Sequence, residues 1–148
     1  MATNKKDERG KKRSDVKPVF FIRTEPQQSS KKISDAQQMQ LDVIAKTNFN
    51  FFEGKKIAAW SKENRNMWRA ILMPLNLISL RDMEDGHWHA DMLYIYPEDG
   101  YQFKLEEIIR EQFNADEVRW ISGSEAVDML GTTEVADESY VILEAWWD

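Results

Sequence analysis

Apolar residues first recur at helical spacing after Ser34. Ala36, Met39, Val43 and Ile44 form a stripe, the pattern of an amphipathic helix. Ser34-x-x-Gln37 is a capping-box pattern, and Asn48 is a natural stop. Two short apolar runs, residues 49–52 and 57–60, flank Glu53-Gly54 and read as strands. A second helix is expected from Ser61. Met67, Trp68, Ile71, Leu72 and Leu75 would form its apolar stripe, and Pro74 would bend or end it.

Residues 77–81 and 87–96 flank Glu84-Asp85-Gly86, a hairpin signal. Pro97-Glu98-Asp99-Gly100 is a turn. Leu105, Ile108, Ile109 and Phe113 define a third helix, with Glu106, Glu107 and Glu111 on its wet side. Residues 118–122 read as a strand. A short helix follows Gly123-Ser124, carries Ala126, Val127 and Leu130, and stops at Gly131. Residues 140–147 form a last strand. Residues 97–117 are long enough for a crossover to a parallel neighbour. The expected class is therefore α+β (or α/β): a single small domain, residues 34–148. Its sheet would be mixed, an antiparallel hairpin with crossover helices. Residues 1–33 are expected to be a disordered basic leader and linker. Within them Val19-Phe20-Phe21-Ile22 is the one apolar run, either an added edge strand or a sticky motif.

Composition fits this picture. The chain has 148 residues, 42% of them hydrophobic, with six Trp, enough for one core. It has no cysteine, which excludes disulfides, thiolate metal sites and Cys nucleophiles. No apolar run approaches the length of a membrane span. A charged N-terminus without an apolar stretch is no secretory signal, and Ala2 removes the myristoylation motif. An intracellular soluble protein is expected, cytoplasmic, or nuclear if the leader is a localisation signal.

Charge changes the picture most. Residues 1–35 hold ten Lys/Arg against five Asp/Glu; residues 36–96 hold seven of each; residues 97–148 hold three against fourteen. Such polarity is an argument about partners rather than fold. Lys5, Lys6, Arg9, Lys11, Lys12 and Arg13 are candidates for phosphate-backbone contact. A solubilising tail is the plain alternative. No aromatic is interleaved among residues 1–18, so base stacking is not indicated there. In the acidic half, Glu98, Asp99, Glu106, Glu107, Glu111, Asp116 and Glu117 are candidates to imitate phosphate charge and occupy a basic surface on a partner. With so few local cations, most of these acids are expected to be unpaired. Trp146 and Trp147 are adjacent, so a strand would turn one inward and offer the other as an anchor, unless both rings cap the core edge.

One metal pattern stands out. His87-x-His89-x-Asp91 would share a strand face, although three such residues span about 13 Å. The wet face of an antiparallel pair explains the same pattern, and no metal or cofactor is expected. Phosphate loops, dinucleotide fingerprints and nucleophile elbows are absent from the sequence. The order strand, Pro97 turn, helix, strand is similar to the acetyltransferase fold. That resemblance would imply coenzyme A binding between a strand and the next helix. The family's Gly-rich pyrophosphate loop is missing, since residues 100–104 read Gly-Tyr-Gln-Phe-Lys.

The sequence points first to a non-enzymatic acidic regulatory protein that inhibits or chaperones a basic, nucleic-acid-binding partner. Phages and viruses make factors of this size and charge. The alternatives are a nucleic-acid-binding module, using the leader with Lys55, Lys56, Lys62, Arg65 and Arg69, or a small enzyme, metal-dependent or acetyltransferase-like.

Overall fold

A computed structural model describes residues 31–86, 88–133 and 140–148. Helix α1, Asp35–Lys46, begins where its cap predicts: the Ser34 hydroxyl accepts from the Gln37 backbone N–H at 3.2 Å. Its inward face differs from the expected stripe. Leu41 and Ile44 are buried, whereas Met39 is 69% exposed. The reason lies in two glutamines that face strand β3, Trp68–Leu72. The Gln37 side-chain amide donates to the Ile71 carbonyl at 2.7 Å, and its oxygen accepts from the Ile71 N–H at 2.9 Å. The Gln40 carbonyl accepts from the Met73 N–H at 3.3 Å. These side chains do for an edge strand what a neighbouring strand would do.

Strands β1, Asn48–Phe49, and β2, Phe52–Glu53, form a small hairpin. Asn50 takes φ 50 in its turn, a conformation asparagine tolerates better than most residues. Residues 57–60 are not a strand. They lie within helix α2, Gly54–Glu63, where Ile57, Ala58 and Ser61 make one buried face. A four-residue apolar run cannot by itself tell a buried strand from a buried helix segment. Gly54 starts α2 hard against the end of α1, and a Cβ there would lie 1.9 Å from the Ile44 carbonyl oxygen.

The helix expected from Ser61 is also overturned, because Trp68–Leu72 is β3. Trp68 and Ile71 enter the core while Leu72 is exposed. The shift in register between Trp68 and Ala70 makes Arg69 the extra residue of a bulge. That bulge let the same residues pass for a helical stripe. The predicted hairpin around Asp85-Gly86 is helix α3, Leu80–Asp85, with Gly86 at φ 65 as its left-handed cap. Asp-Gly signals a left-handed residue, which serves a helix end as well as a hairpin.

The main sheet has the order β3-β4-β6-β5, with β4 Met92–Pro97, β5 Glu117–Ile121 and β6 Ile142–Trp146. All its neighbours are antiparallel, where a mixed sheet was expected. The crossover exists: helix α4, Gln102–Glu111, carries the chain from β4 to β5. The last strand, β6, enters the slot between them. Among the described residues, parallel pairing is confined to an isolated bridge, Thr47 with Trp88. The class is α+β, as expected. One sheet face, with Leu93, Ile95, Leu143 and Ala145, packs into the principal core with α1, α2 and α4. The other is covered in part by helix α5, Gly123–Leu130, through Ala126 and Leu130 against Ile121 and Ile142.

Candidate functional site

The carboxylates of the acidic half are paired more fully than expected. Arg69 reaches Glu98 at 3.4 Å and Asp99 at 2.6 Å, and Lys31 also bonds Glu98. Both cations come from outside the acidic half. Lys104 holds Glu107 at 2.8 Å. Arg119 takes Glu144 with two nitrogens, at 2.9 and 3.0 Å, and also Glu125. Those bonds, to Glu144 first and Glu125 second, raise the Arg119 pKa further above its ordinary value. Glu106 accepts from the Trp120 indole N–H at 2.7 Å and from Arg110 at 2.9 Å. The indole bond is the main reason its pKa lies below the ordinary carboxylate value. The Lys31 ammonium is the first cause of the same shift at Glu98. The Glu106–Arg110 pair is the i,i+4 spacing visible in the sequence, whereas the bond to Trp120, which makes Glu106 a structural acceptor, is not legible there.

Among the described residues of this half, Glu111, Asp116, Glu117, Asp128 and Asp148 have no ion pair. Three of them lie at one end of the sheet, Glu117 on the cleft beside Trp146 and Asp116 on a separate cleft with Asn50, Phe51 and Asn114. The Asp148 N–H donates to Asp116 Oδ2 at 2.8 Å, and the Asp116 N–H donates to the Trp146 carbonyl at 2.9 Å. Glu117 stands opposite Trp146 in the sheet register. Trp146 is half-buried and, with Met92, Glu117, Val118, Arg119 and Glu144, lines a shallow cleft of about 190 Å³.

The two tryptophans separate as strand alternation requires, and only one remains a candidate. Trp147 is fully buried, donates its indole N–H to the Phe113 carbonyl at 2.6 Å, and meets the Phe52 ring edge-on at 4.9 Å between centroids. It is core.

Of the metal pattern, the structure describes His89 and Asp91, and each is held by a different partner. His87 and the leader residues Lys5, Lys6, Arg9, Lys11, Lys12 and Arg13 lie outside the described residues. His89 and Asp91 precede β4, so the strand-face argument does not apply to them. His89 Nδ1 lies 2.6 Å from the buried Asp82, while Asp91 accepts from Asn50 at 2.9 Å. Among the described residues no group of three or more His, Asp or Glu is placed to hold an ion. Asp82 is a residue the sequence reading missed. Its carboxylate accepts from the Ser79 N–H at 2.9 Å while the Ser79 hydroxyl accepts from the Asp82 N–H. The bond from the Ser79 N–H first, and His89 second, hold the Asp82 pKa well below its ordinary value. The Ser79-x-x-Asp82 spacing was the available signal.

The basic residues named for nucleic acid do not form one free surface. Lys56 pairs with Glu53 at 2.6 Å. Arg65 bonds the Trp68 carbonyl and lies over that residue's ring at 4.2 Å. Arg69 is held by Tyr96, Glu98 and Asp99. No helix among the described residues is long and apolar enough to cross a membrane. No protein-family model matches the chain, and no curated protein or solved structure matches it significantly.

Proposed function

We propose that this is a non-enzymatic interaction protein that docks a basic partner at the corner formed by Asp116, Glu117, Asp148 and Trp146. The observation that supports it is contrast. Six carboxylates of the acidic half are ion-paired, whereas Glu117 stands unpaired beside a half-buried indole, with the unpaired Asp116 and Asp148 at the same end of the sheet. A lysine or arginine from a partner would gain the Glu117 carboxylate and the Trp146 ring face, a cation–π contact. A partner that binds nucleic acid carries such residues in quantity, which is why inhibition or chaperoning of such a protein is the role proposed.

The test uses an arginine-rich peptide as the probe. Charge reversal by D116K/E117K should weaken binding at least tenfold, because close opposite-charge contacts across an interface are each worth about 1.5 kcal/mol or more. Reversing Glu107 and Glu111 on α4 should change it far less. Equal losses from both pairs would reduce the acidic half to a diffuse field and remove the corner from the account.

A further inference from the structure

At the other end of the same sheet face lies a second, apolar groove. It is lined by Leu72, Tyr94, Tyr96, Met129, Leu130 and Ile142 and holds about 80 Å³. α5 covers only part of this face, and Leu72 and Met129 remain 42% and 36% exposed. We propose that residues 19–22 of the same chain, Val19-Phe20-Phe21-Ile22, occupy this groove. The inference does not rest on the docking corner, which sits around Trp146 at the opposite end of β4.

Three observations select this occupant. The first is where the described chain begins. The Lys31 N–H donates to Asn66 at 3.3 Å, and its ammonium bonds Glu98. Glu98 is also held by Arg69, whose guanidinium donates to the Tyr96 hydroxyl at 2.9 Å and lies 5.0 Å from that ring's centroid. Lys31 is therefore tied, through two side chains, to a wall of the groove. The second is reach. The nine residues from Ile22 to Lys31 extend about 30 Å, whereas Tyr94 and Tyr96 are separated by only about 7 Å along β4. The third is chemistry. Residues 19–22 are the one apolar run among the first thirty residues, and Lys17 and Arg23 flank it. The groove offers apolar walls from Ala70, Leu72, Met129, Leu130 and Ile142 with two tyrosine rings. The edge of β3 is closed to this segment, because Gln37 and Gln40 already occupy its N–H and C=O groups. Packing on the face, not strand addition at that edge, is the mode left to it.

The experiment places a photoreactive benzoylphenylalanine at position 21 of the full chain. Light and heavy isotopic copies are mixed before irradiation, and the crosslinks are mapped by mass spectrometry. Crosslinks to Met129, Leu72 or Leu130 within one copy are expected. Crosslinks found only between copies would assign the groove to a second molecule. Crosslinks confined to the aromatic patch of Phe103, Trp120 and Tyr140, or absent from the groove, would also overturn the proposal. The full-chain double variant F20D/F21D provides a second readout. Its far-UV circular dichroism should stay unchanged while binding of an apolar dye rises several-fold. Unchanged dye binding would contradict the proposal.

Discussion

Replacing Gln37 with Leu should cost far more than its place on a surface helix implies. Leucine and glutamine have nearly equal helix propensity, so α1 itself is little affected. What is lost is the pair of bonds to Ile71, at 2.7 and 2.9 Å. The Ile71 N–H and C=O then face an apolar side chain at a part-buried strand edge. A buried backbone group left without a partner costs about 1–3 kcal/mol. Two such groups, with some access to water, put the loss at about 2–3 kcal/mol. For a chain of this size that lowers the melting temperature by roughly 4–10 °C. The control is Gln38→Ala, which removes an exposed bond to Asp42 at 2.7 Å and should cost about 0.5 kcal/mol or less. Urea denaturation with an unchanged slope measures both variants. The Leu variant should also self-associate more readily, since it leaves strand groups open for pairing. If Gln37→Leu and Gln38→Ala lose the same stability, the glutamine clamp does not hold the edge of β3.

Gly54→Ala should destabilise by at least about 3 kcal/mol, because the new methyl would meet the Ile44 and Thr47 carbonyl oxygens at 1.9 and 2.5 Å; a thermal shift comparable to an exposed Gly→Ala change would contradict the close approach. Trp147→Phe keeps a ring against Phe52 but leaves the Phe113 carbonyl without its donor, a loss of about 1–3 kcal/mol readable by the same denaturation assay. Asp82, Glu98 and Glu106 hold pKa values below their ordinary 3.8 and 4.5, so the unfolded chain binds protons more readily than the folded one. Their stabilisation is complete above those ordinary values and is lost as pH falls below them. A pH series of denaturation midpoints should show this loss, and Glu106→Gln should make the acid slope shallower; an unchanged slope would mean that the Trp120 bond does not favour the ionised form.

Legibility of the fold in the sequence followed the kind of signal. Caps and glycine stops acted locally and were readable: Ser34 began α1, Gly131 ended α5, and the stripe of Leu105, Ile108 and Ile109 became the buried face of α4. Signals that tertiary pairing decides were not readable. The residues from Met67 to Leu72 satisfy a helical period only because the bulge at Arg69 disturbs the strand alternation. Gln37 and Gln40 look like surface residues until β3 is placed beside them. The place of β6 between β4 and β5 depends on a contact between distant parts of the chain, and no local pattern carries it. At the candidate site, Trp146 and the acids at 116–117 were visible as residue types. Their separation from the neutralised carboxylates was not, because Arg69 and Lys31 reach Glu98 and Asp99 from remote segments.

The corner of Asp116, Glu117, Asp148 and Trp146 is tested most directly by nuclear magnetic resonance titration of the isotope-labelled full chain with an arginine-rich peptide. The account predicts saturable shifts of the Trp146 indole N–H and of backbone amides at 116–119 and 146–148. These shifts should weaken steeply as salt rises. Shifts centred on α4, or spread evenly over the acidic half with the Trp146 indole unmoved, would contradict it.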